Sequence, residues 1–375
     1  MLRKANLKVV TIFGTRPEII RLSRILPLLD QYVEHYTVFT KQSFDYEMSE
    51  IFFRELKLRT PDQILEVRSQ TLGGQIANIL VQSEKVLLRE IPDALLVLGD
   101  TNSSLCTIIA KRLKIPIFHL EAGNRAFDWD VPEEVNRRIV DHISDYNLAY
   151  TEHARRYLIA EGIHPSTVFV TGSPYPEIFK YYARDIDHNP ILKQLKLLPK
   201  QYFIVSIHRE ENVENTQRLR ELFASLNYLS KQYHLPIVVS LHPRTRIKRD
   251  FLNKLDPLVK LHNPFGFFAY TKLEKEAFCT LSDSGTIQEE SAILGFPAIQ
   301  LRVSTERPEA FDAGSIILTG FNQETLKKAI DLVTFEYAHS QTRTIPKDYL
   351  DPNVAVKVVK LILGLTSIRK YRHQE

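Results

Sequence analysis

An α/β fold made of two doubly wound domains is what the sequence predicts, on three observations. Short runs rich in β-branched and apolar residues alternate with longer segments of helical period, the signature of a parallel sheet flanked by helices. The runs are apolar at consecutive positions, as strands covered on both faces are. The alternation breaks once and resumes, and 375 residues that are 44% hydrophobic hold enough chain for two cores.

Taken in order, the first strand is expected over residues 8–13, followed by a helix over 17–29 that Pro17 opens, because the fixed φ of proline suits a first helical position. Strands follow over 36–40, 94–98, 117–120, 146–150 and 168–171, with helices over 72–90, 103–113 and 133–143 between them. The second series has strands over 202–206, 237–241, 277–282, 298–301 and 315–318, and helices near 215–233 and 286–294. Residues 181–200 carry Asp185, Asp187, Asn189, Pro190 and Pro199 without a strand pattern and read as surface structure at the junction. The domains are therefore expected over 1–180 and 181–350.

Composition narrows the function. Lys and Arg total 49 against 45 Asp and Glu, and a net charge of +4 spread over this length is no nucleic-acid surface, so any anionic ligand must be held locally. Cys106 and Cys279 stand far apart with no CxxC spacing, which suits a reducing, cytoplasmic setting and removes disulfide and cysteine-zinc frameworks. The apolar run 9–13 is too short for a signal segment, and no run approaches the length of a membrane helix. No GxGxxG or GxxxxGK[ST] occurs, which disfavours a dinucleotide dehydrogenase and a P-loop NTPase. Neither HExxH nor an Asp-rich magnesium pattern is present, so no metal is expected.

In open parallel sheets ligands collect at the carboxyl ends of strands, so the polar residues that follow each strand are the candidates for chemistry. Gly14-Thr15-Arg16-Pro17-Glu18 leaves the first strand as a tight exit into a helix start with a guanidinium beside it, a phosphate-friendly arrangement. A plain helix start with a solvated Arg16 would read the same. Gly99-Asp100-Thr101 offers Asp100 either as a helix cap or as a reacting carboxylate. In the segment 119–125, alternation puts His119 and Glu121 on one side, and Glu121 ranks first because a lone histidine there is more often structural. Glu133 opens the helix after the loop 129–132, where the helix dipole alone favours an acid. With Asp100 and Glu121 it makes a third strand-end carboxylate, and clustered acids are costly unless they move protons or pair with nearby arginines.

In the second series, Ser206-Ile207-His208-Arg209 and Ser240-Leu241-His242-Pro243-Arg244 each leave a strand with a histidine and an arginine. Ser282-Asp283-Ser284-Gly285-Thr286 turns off a strand into a helix, exposing N–H groups and hydroxyls where a diphosphate could sit, with Glu290 one helical turn in. Arg307, in Thr305-Glu306-Arg307-Pro308-Glu309-Ala310, is a plausible partner for the same anion.

Seven of these segments in order, Gly14-Thr15-Arg16-Pro17-Glu18, Gly99-Asp100-Thr101, Glu121-Ala122-Gly123, Pro132-Glu133-Glu134 with Asn136-Arg137, His208-Arg209, Asp283-Ser284-Gly285 with Gln288-Glu289-Glu290, and Thr305 to Ala310, resemble the motif set of the non-hydrolysing UDP-N-acetylglucosamine 2-epimerases. The resemblance implies two Rossmann-like domains facing across a cleft, the GT-B arrangement, with a C-terminal helix over 351–375 returning to the first domain. It implies a cytoplasmic homodimer that uses no metal and no cofactor and takes a UDP-sugar as substrate. The reaction implied is reversible inversion at C2, UDP-GlcNAc to UDP-ManNAc, by anti-elimination of UDP to a 2-acetamidoglycal and re-addition. Carried over by motif, Asp100, Glu121, Glu133 and His208 are the catalytic candidates. Arg16, Arg21, Arg137, Ser284, Gly285, Glu290 and Arg307 are the substrate-binding ones, Arg21 standing where many members have lysine.

The chain departs from the family pattern in places. Lys41-Gln42-Ser43-Phe44-Asp45-Tyr46 replaces the Gly-Gln-His of members activated by their own substrate. Asn124-Arg125 replaces Leu-Arg, and Phe127-Asp128 follows, which is similar to the capsule-type branch acting on 6-deoxy UDP-N-acetyl-L-hexosamines and forming UDP-N-acetyl-L-fucosamine; Phe127 or Trp129 would supply an apolar wall at C6. More distant alternatives are a GT-B glycosyltransferase, which seldom carries three strand-end carboxylates, a hydrolysing epimerase that releases free ManNAc and UDP, and a nucleotide-sugar sensor.

Overall fold

Val9, Val10, Ile12 and Phe13 are all without solvent exposure, and consecutive apolar residues can be buried together only where a strand is covered on both faces. They lie on β1 (Lys8–Phe13) of a computed structural model that describes residues 7–42, 46–207, 216–241, 255–302, 305–339 and 344–372. The chain divides into two units, Met1–Ile178 with Leu350–Glu375, and Phe179–Tyr349.

In the first unit β2 (Glu34–Phe39), β3 (Gln63–Ile64), β4 (Ala94–Leu98), β5 (Ile117–Leu120), β6 (Tyr146–Ala149) and β7 (Val168–Val170) join β1 in the order β3-β2-β1-β4-β5-β6-β7. Every pairing is parallel, with Val9 to Ile12 of β1 in register with Ala94 to Val97 of β4. The second unit repeats the scheme with β8 (Phe203–Ile207), β9 (Ile237–Leu241), β10 (Val259–His262), β11 (Cys279–Ser282), β12 (Ala298–Gln300) and β13 (Ile317–Leu318), in the order β10-β9-β8-β11-β12-β13, again all parallel. In each sheet the chain winds outward from its first strand and then crosses back over it. The loops leaving β1 and β4, and those leaving β8 and β11, therefore diverge and open a crevice at the carboxyl ends.

Some elements differ from the sequence expectation. The helix expected over 17–29 is two, Arg16–Leu22 and Ile25–Tyr32, because Pro27 has no N–H to offer the carbonyl of Ser23. Residues 102–112 begin as a 3₁₀ turn, Asn102–Cys106, before the α-helix Thr107–Arg112. The segment 181–200, expected as surface structure, is largely helical, within Tyr175–Asp187 and Ile191–Gln194, and buries Tyr182, Ile186, Ile191 and Leu197. Its polar residues line only the outer side, which hid the inner stripe. The helix Val354–Arg372 belongs to the first unit: it packs against Ile25–Tyr32 through a stripe of Val354, Ala355, Val358, Val359 and Ile362. Its start and end are tied by Ala355 N–H donating to Glu177 (2.9 Å) and Arg369 to Asp145 (2.7 Å). Among the described residues no helix is long and apolar enough to cross a membrane.

The turn after β5 depends on Gly123. Its φ is +82°, and a Cβ there would stand 2.5 Å from the Ala154 carbonyl oxygen and 2.8 Å from Leu158 Cγ. Gly123→Ala is expected to cost about 2–4 kcal/mol of folding stability, read from urea denaturation; a loss within experimental error would show that the turn can relax.

Candidate active site

The residues that follow β1 set the first wall. Gly14 is buried where any Cβ would overlap the hydroxyls of Thr40 and Ser103, so the chain can turn there only without a side chain. The donors at the helix start meet the chain's own anion: Glu18 accepts from Gly14 N–H (3.1 Å), Thr15 N–H (2.8 Å) and the Thr15 hydroxyl (2.6 Å). Burial pushes the Glu18 carboxyl up to about 7 in spite of those three bonds, and the charge of Asp100 works in the same direction. Arg16 lies over the ring of Phe52, 5.9 Å from its centroid.

Asp100 and Glu121 come together on Arg137. Gly99, just before Asp100, and Glu121 itself have φ of +71° and +64°, so both strands end in left-handed turns that throw their carboxylates out of the strand direction. A non-glycine residue held in that conformation is strained by roughly 1–2 kcal/mol and needs outside restraint. The helix Pro132–Ile143 supplies it. Arg137 pairs with Asp100 through Nη2 and donates to the Glu121 carbonyl through Nη1, while Glu121 Oε1 stands 3.8 Å from the same guanidinium. Arg21 pairs with Glu121 Oε2, and Asn136 donates to the Asp100 carbonyl (3.0 Å). The result is two carboxylates from adjacent strands, each opposite a guanidinium, at the β1/β4 crevice. Glu133 is not drawn into this cluster. It is exposed on the first turn of its helix, and the neighbouring Glu134 turns inward to accept from Ala126 N–H (2.8 Å) and Arg138 (2.8 Å).

Beneath the two turns lies a buried charge network that sequence reasoning missed. His119, on β5, sets Nε2 against the Gly99 carbonyl (2.9 Å) and Nδ1 against Asp141 (2.8 Å). Asp141 also accepts from Gly123 N–H at 3.2 Å and pairs with Arg125 at 2.6 Å. Arg125 in turn pairs with Glu161 (2.6 Å), which Arg138 also reaches (2.8 Å). Burial alone would raise the Asp141 carboxyl, but the close contact with His119 and the nearby arginines hold it below the ordinary aspartate range. The Arg138 guanidinium lies over the exposed Trp129 ring, 4.6 Å from its centroid, and Phe127 packs edge-on against Tyr157.

The second unit gathers the anion-binding candidates at β11. Ser284 shares a 2.8 Å contact with the Thr286 hydroxyl, and Thr286 donates to Glu290 (3.2 Å), so hydroxyls and carboxylate form one chain at the start of helix Ile287–Leu294. A Cβ on Gly285 would stand 2.7 Å from Nη1 of Arg307 and 3.5 Å from that of Arg302, so the missing side chain is what admits the guanidiniums. Arg307 is buried with Glu289 at 3.3 Å. Arg302, the residue second after β12, was not among the sequence candidates, although its position at a strand end was the available signal. Glu274 on helix Phe267–Glu276 is buried, and that burial, with the Glu290 charge, pushes its carboxyl well above the usual range. His208, His242 and Arg244 lie outside the described residues.

A family model described as UDP-N-acetylglucosamine 2-epimerase matches residues 29–363. A UDP-N-acetylglucosamine 2-epimerase from Methanocaldococcus jannaschii is 39% identical over 337 residues, 87% of this chain and 92% of that protein. The structure of UDP-N-acetylglucosamine 2-epimerase from Rickettsia bellii has a TM-score of 0.89 at 43% identity, covering 97% of this chain and 98% of that one. The M. jannaschii UDP-GlcNAc 2-epimerase in complex with UDP-GlcNAc and UDP gives 0.88 at 36% identity, covering 96% of this chain and all of that one.

The Glu18 carboxyl has a pH consequence. A folded-state value near 7 against 4.5 means that the folded chain holds a proton the unfolded chain has released, so its contribution to stability is complete below about pH 4.5 and is lost as pH rises through about 7. Relative to Glu18→Gln, the wild type is expected to lose on the order of 3 kcal/mol across that window. Parallel stability curves for the two proteins in guanidinium titrations at several pH values would contradict this.

Proposed function

Because the chain belongs to the UDP-N-acetylglucosamine 2-epimerase family, we propose that it inverts C2 of UDP-GlcNAc reversibly to give UDP-ManNAc. The observation that carries the reading is the pair of guanidinium-held carboxylates, Asp100 and Glu121, on adjacent strand ends. The C2 proton has no neighbouring carbonyl to acidify it, so direct removal is prohibitive. Elimination avoids this: a base takes the C2 proton, the electron pair forms the C1–C2 double bond, and the C1–O bond breaks to release UDP with a 2-acetamidoglycal. UDP then adds back to C1 as a proton reaches C2 from the opposite face. Such a route needs acid/base groups on both faces of the sugar and cations and N–H donors on the leaving diphosphate. We assign Asp100, Glu121, Glu133 and His208 to proton transfer. Arg16, Arg21, Arg137, Ser284, Gly285 and Arg307 are assigned to the substrate, and Glu290 to the ribose hydroxyls.

Turnover of UDP-GlcNAc in deuterated water, followed by proton NMR, is expected to show deuterium at C2 and the appearance of UDP-ManNAc. Glu121→Gln, which keeps size and removes charge, should lower kcat by about 10²- to 10⁴-fold. Absence of C2 exchange would overturn the reading in favour of a transferase, and accumulation of free ManNAc with UDP would favour hydrolysis. Inert UDP-GlcNAc with turnover of a 6-deoxy UDP-N-acetyl-L-hexosamine would move the substrate to that series.

The reading extends to a cytoplasmic homodimer. In support, both thiols, Cys106 and Cys279, are free and buried. The helices Leu72–Glu90, Thr107–Arg112 and Pro132–Ile143 lie side by side and carry exposed Val81, Leu88, Ile108, Val135 and Ile139, a surface that a second copy would cover. Light scattering is expected to give two chain masses for the wild type and one for Val81→Asp combined with Leu88→Asp; a wild type of one chain mass would exclude the dimer.

A further inference from the structure

Arg137 and Asp141 lie one turn apart on the buried face of helix Pro132–Ile143 and do different things. Arg137 reaches the Asp100 carboxylate and the Glu121 carbonyl. Asp141 reaches neither carboxylate but holds the backbone under both. One of its oxygens meets His119 Nδ1 at 2.8 Å, and the other ring nitrogen, Nε2, donates to the carbonyl of Gly99, the residue before Asp100. Both oxygens stand 3.2 Å from the N–H of Gly123, two residues after Glu121, and the charge is met by Arg125 at 2.6 Å.

We propose that Asp141 is a positioning residue that fixes the spacing of Asp100 and Glu121, acting through His119 on the β4 turn and through Gly123 on the β5 turn. Stability alone gives no reason for the arrangement, since a well-packed apolar group commonly serves as well as a buried ion pair. An apolar group cannot address a carbonyl and an N–H in two separate turns. Gly99, Glu121 and Gly123 all have positive φ, and a left-handed turn holds its place only where its surroundings over-determine it. The network is closed as well: Arg125 is anchored by Glu161, and the Asp141 carbonyl accepts from Asn147 (3.0 Å), so the helix cannot slide without breaking several bonds.

The proposal rests on Asp100 and Glu121 being the acid/base pair. Asp141→Asn is expected to lower kcat on UDP-GlcNAc by about 10- to 100-fold, the penalty of a small displacement of reacting groups, with KM changed by less than about threefold and UDP affinity by calorimetry unchanged. His119→Phe should act in the same direction, and the double variant should be no worse than the more damaged single one, because His119 acts only through a linkage that Asp141→Asn already breaks. A crystal structure of Asp141→Asn should show the 99–101 and 121–123 turns displaced. A folded Asp141→Asn enzyme with wild-type kcat, a loss confined to KM or UDP affinity, or additive effects in the double variant would overturn the proposal. Should Asp141→Asn fail to fold, His119→Phe, which leaves the Asp141–Arg125 pair in place, carries the same readouts. If wild-type protein shows no C2 exchange at all, the acid/base assignment fails instead. The crystallographic comparison then decides positioning alone, and unmoved turns refute it.

Discussion

A carboxylate taken out of water must have its charge met, and the way the charge of Asp141 is met orders the carboxyl end of the first sheet. Its partners come from three places in the chain: His119 on β5, Gly123 and Arg125 in the turn that follows, and, through Arg125, Glu161 beyond helix Glu152–Ala160. Removing one member of such a buried set leaves the others uncompensated, at a typical cost of about 3–5 kcal/mol, so the elements are locked to one another by electrostatics as well as by packing. The left-handed turns at Gly99, Glu121 and Gly123 are tolerable because this lock surrounds them.

The two units share a strand order over six strands and place different side chains at the strand ends. At the β1/β4 crevice the polar groups are acids held by arginines, with the helix-start donors of Gly14 and Thr15 already taken by Glu18. At β11 Glu274 recedes into the interior and Glu289 lies against Arg307, and the turn carries hydroxyls, a glycine and guanidiniums, with the Glu290 carboxylate bonded to Thr286. The strand ends of the first unit thus set acids against guanidiniums, and those of the second set hydroxyls beside guanidiniums. The six-stranded order of the second sheet repeats six strands of the seven-stranded first, so each set is built at the place where a parallel sheet offers strand-end loops.

How much of this was legible in the sequence follows from which forces leave a local trace. Strands β1, β4 and β5 read clearly, because burial on both faces demands mainly apolar runs, and glycines at 14, 99 and 123 follow within three residues of their ends. β3 has two residues and β10 alternates Val259, Lys260, Leu261 and His262 at an edge, so neither resembled a covered strand. The pair Asp100 and Glu121 was found from strand-end logic. Asp141 was not, because a polar residue inside an amphipathic helix looks the same whether it faces water or a partner far away in the chain, and Arg125 and Glu161, in a turn and at a helix end, look like ordinary surface charges. The adjacent pair Glu133 and Glu134 illustrates the limit: a rotation of 100° per residue sends one outward and the other into the network, and the identity of the residues does not say which.

The helix Val354–Arg372 has a consequence for how the chain is made. It completes the first unit, yet in the sequence it comes after the whole of the second. During synthesis the first sheet is therefore finished, and the outer side of Ile25–Tyr32 left without its cover, for as long as the ribosome takes to read through residues 179–349. The second unit is continuous and has no such wait. The part of the protein that emerges first is thus the last to be completed, and its uncovered apolar helix is the surface a chaperone would meet on the nascent chain.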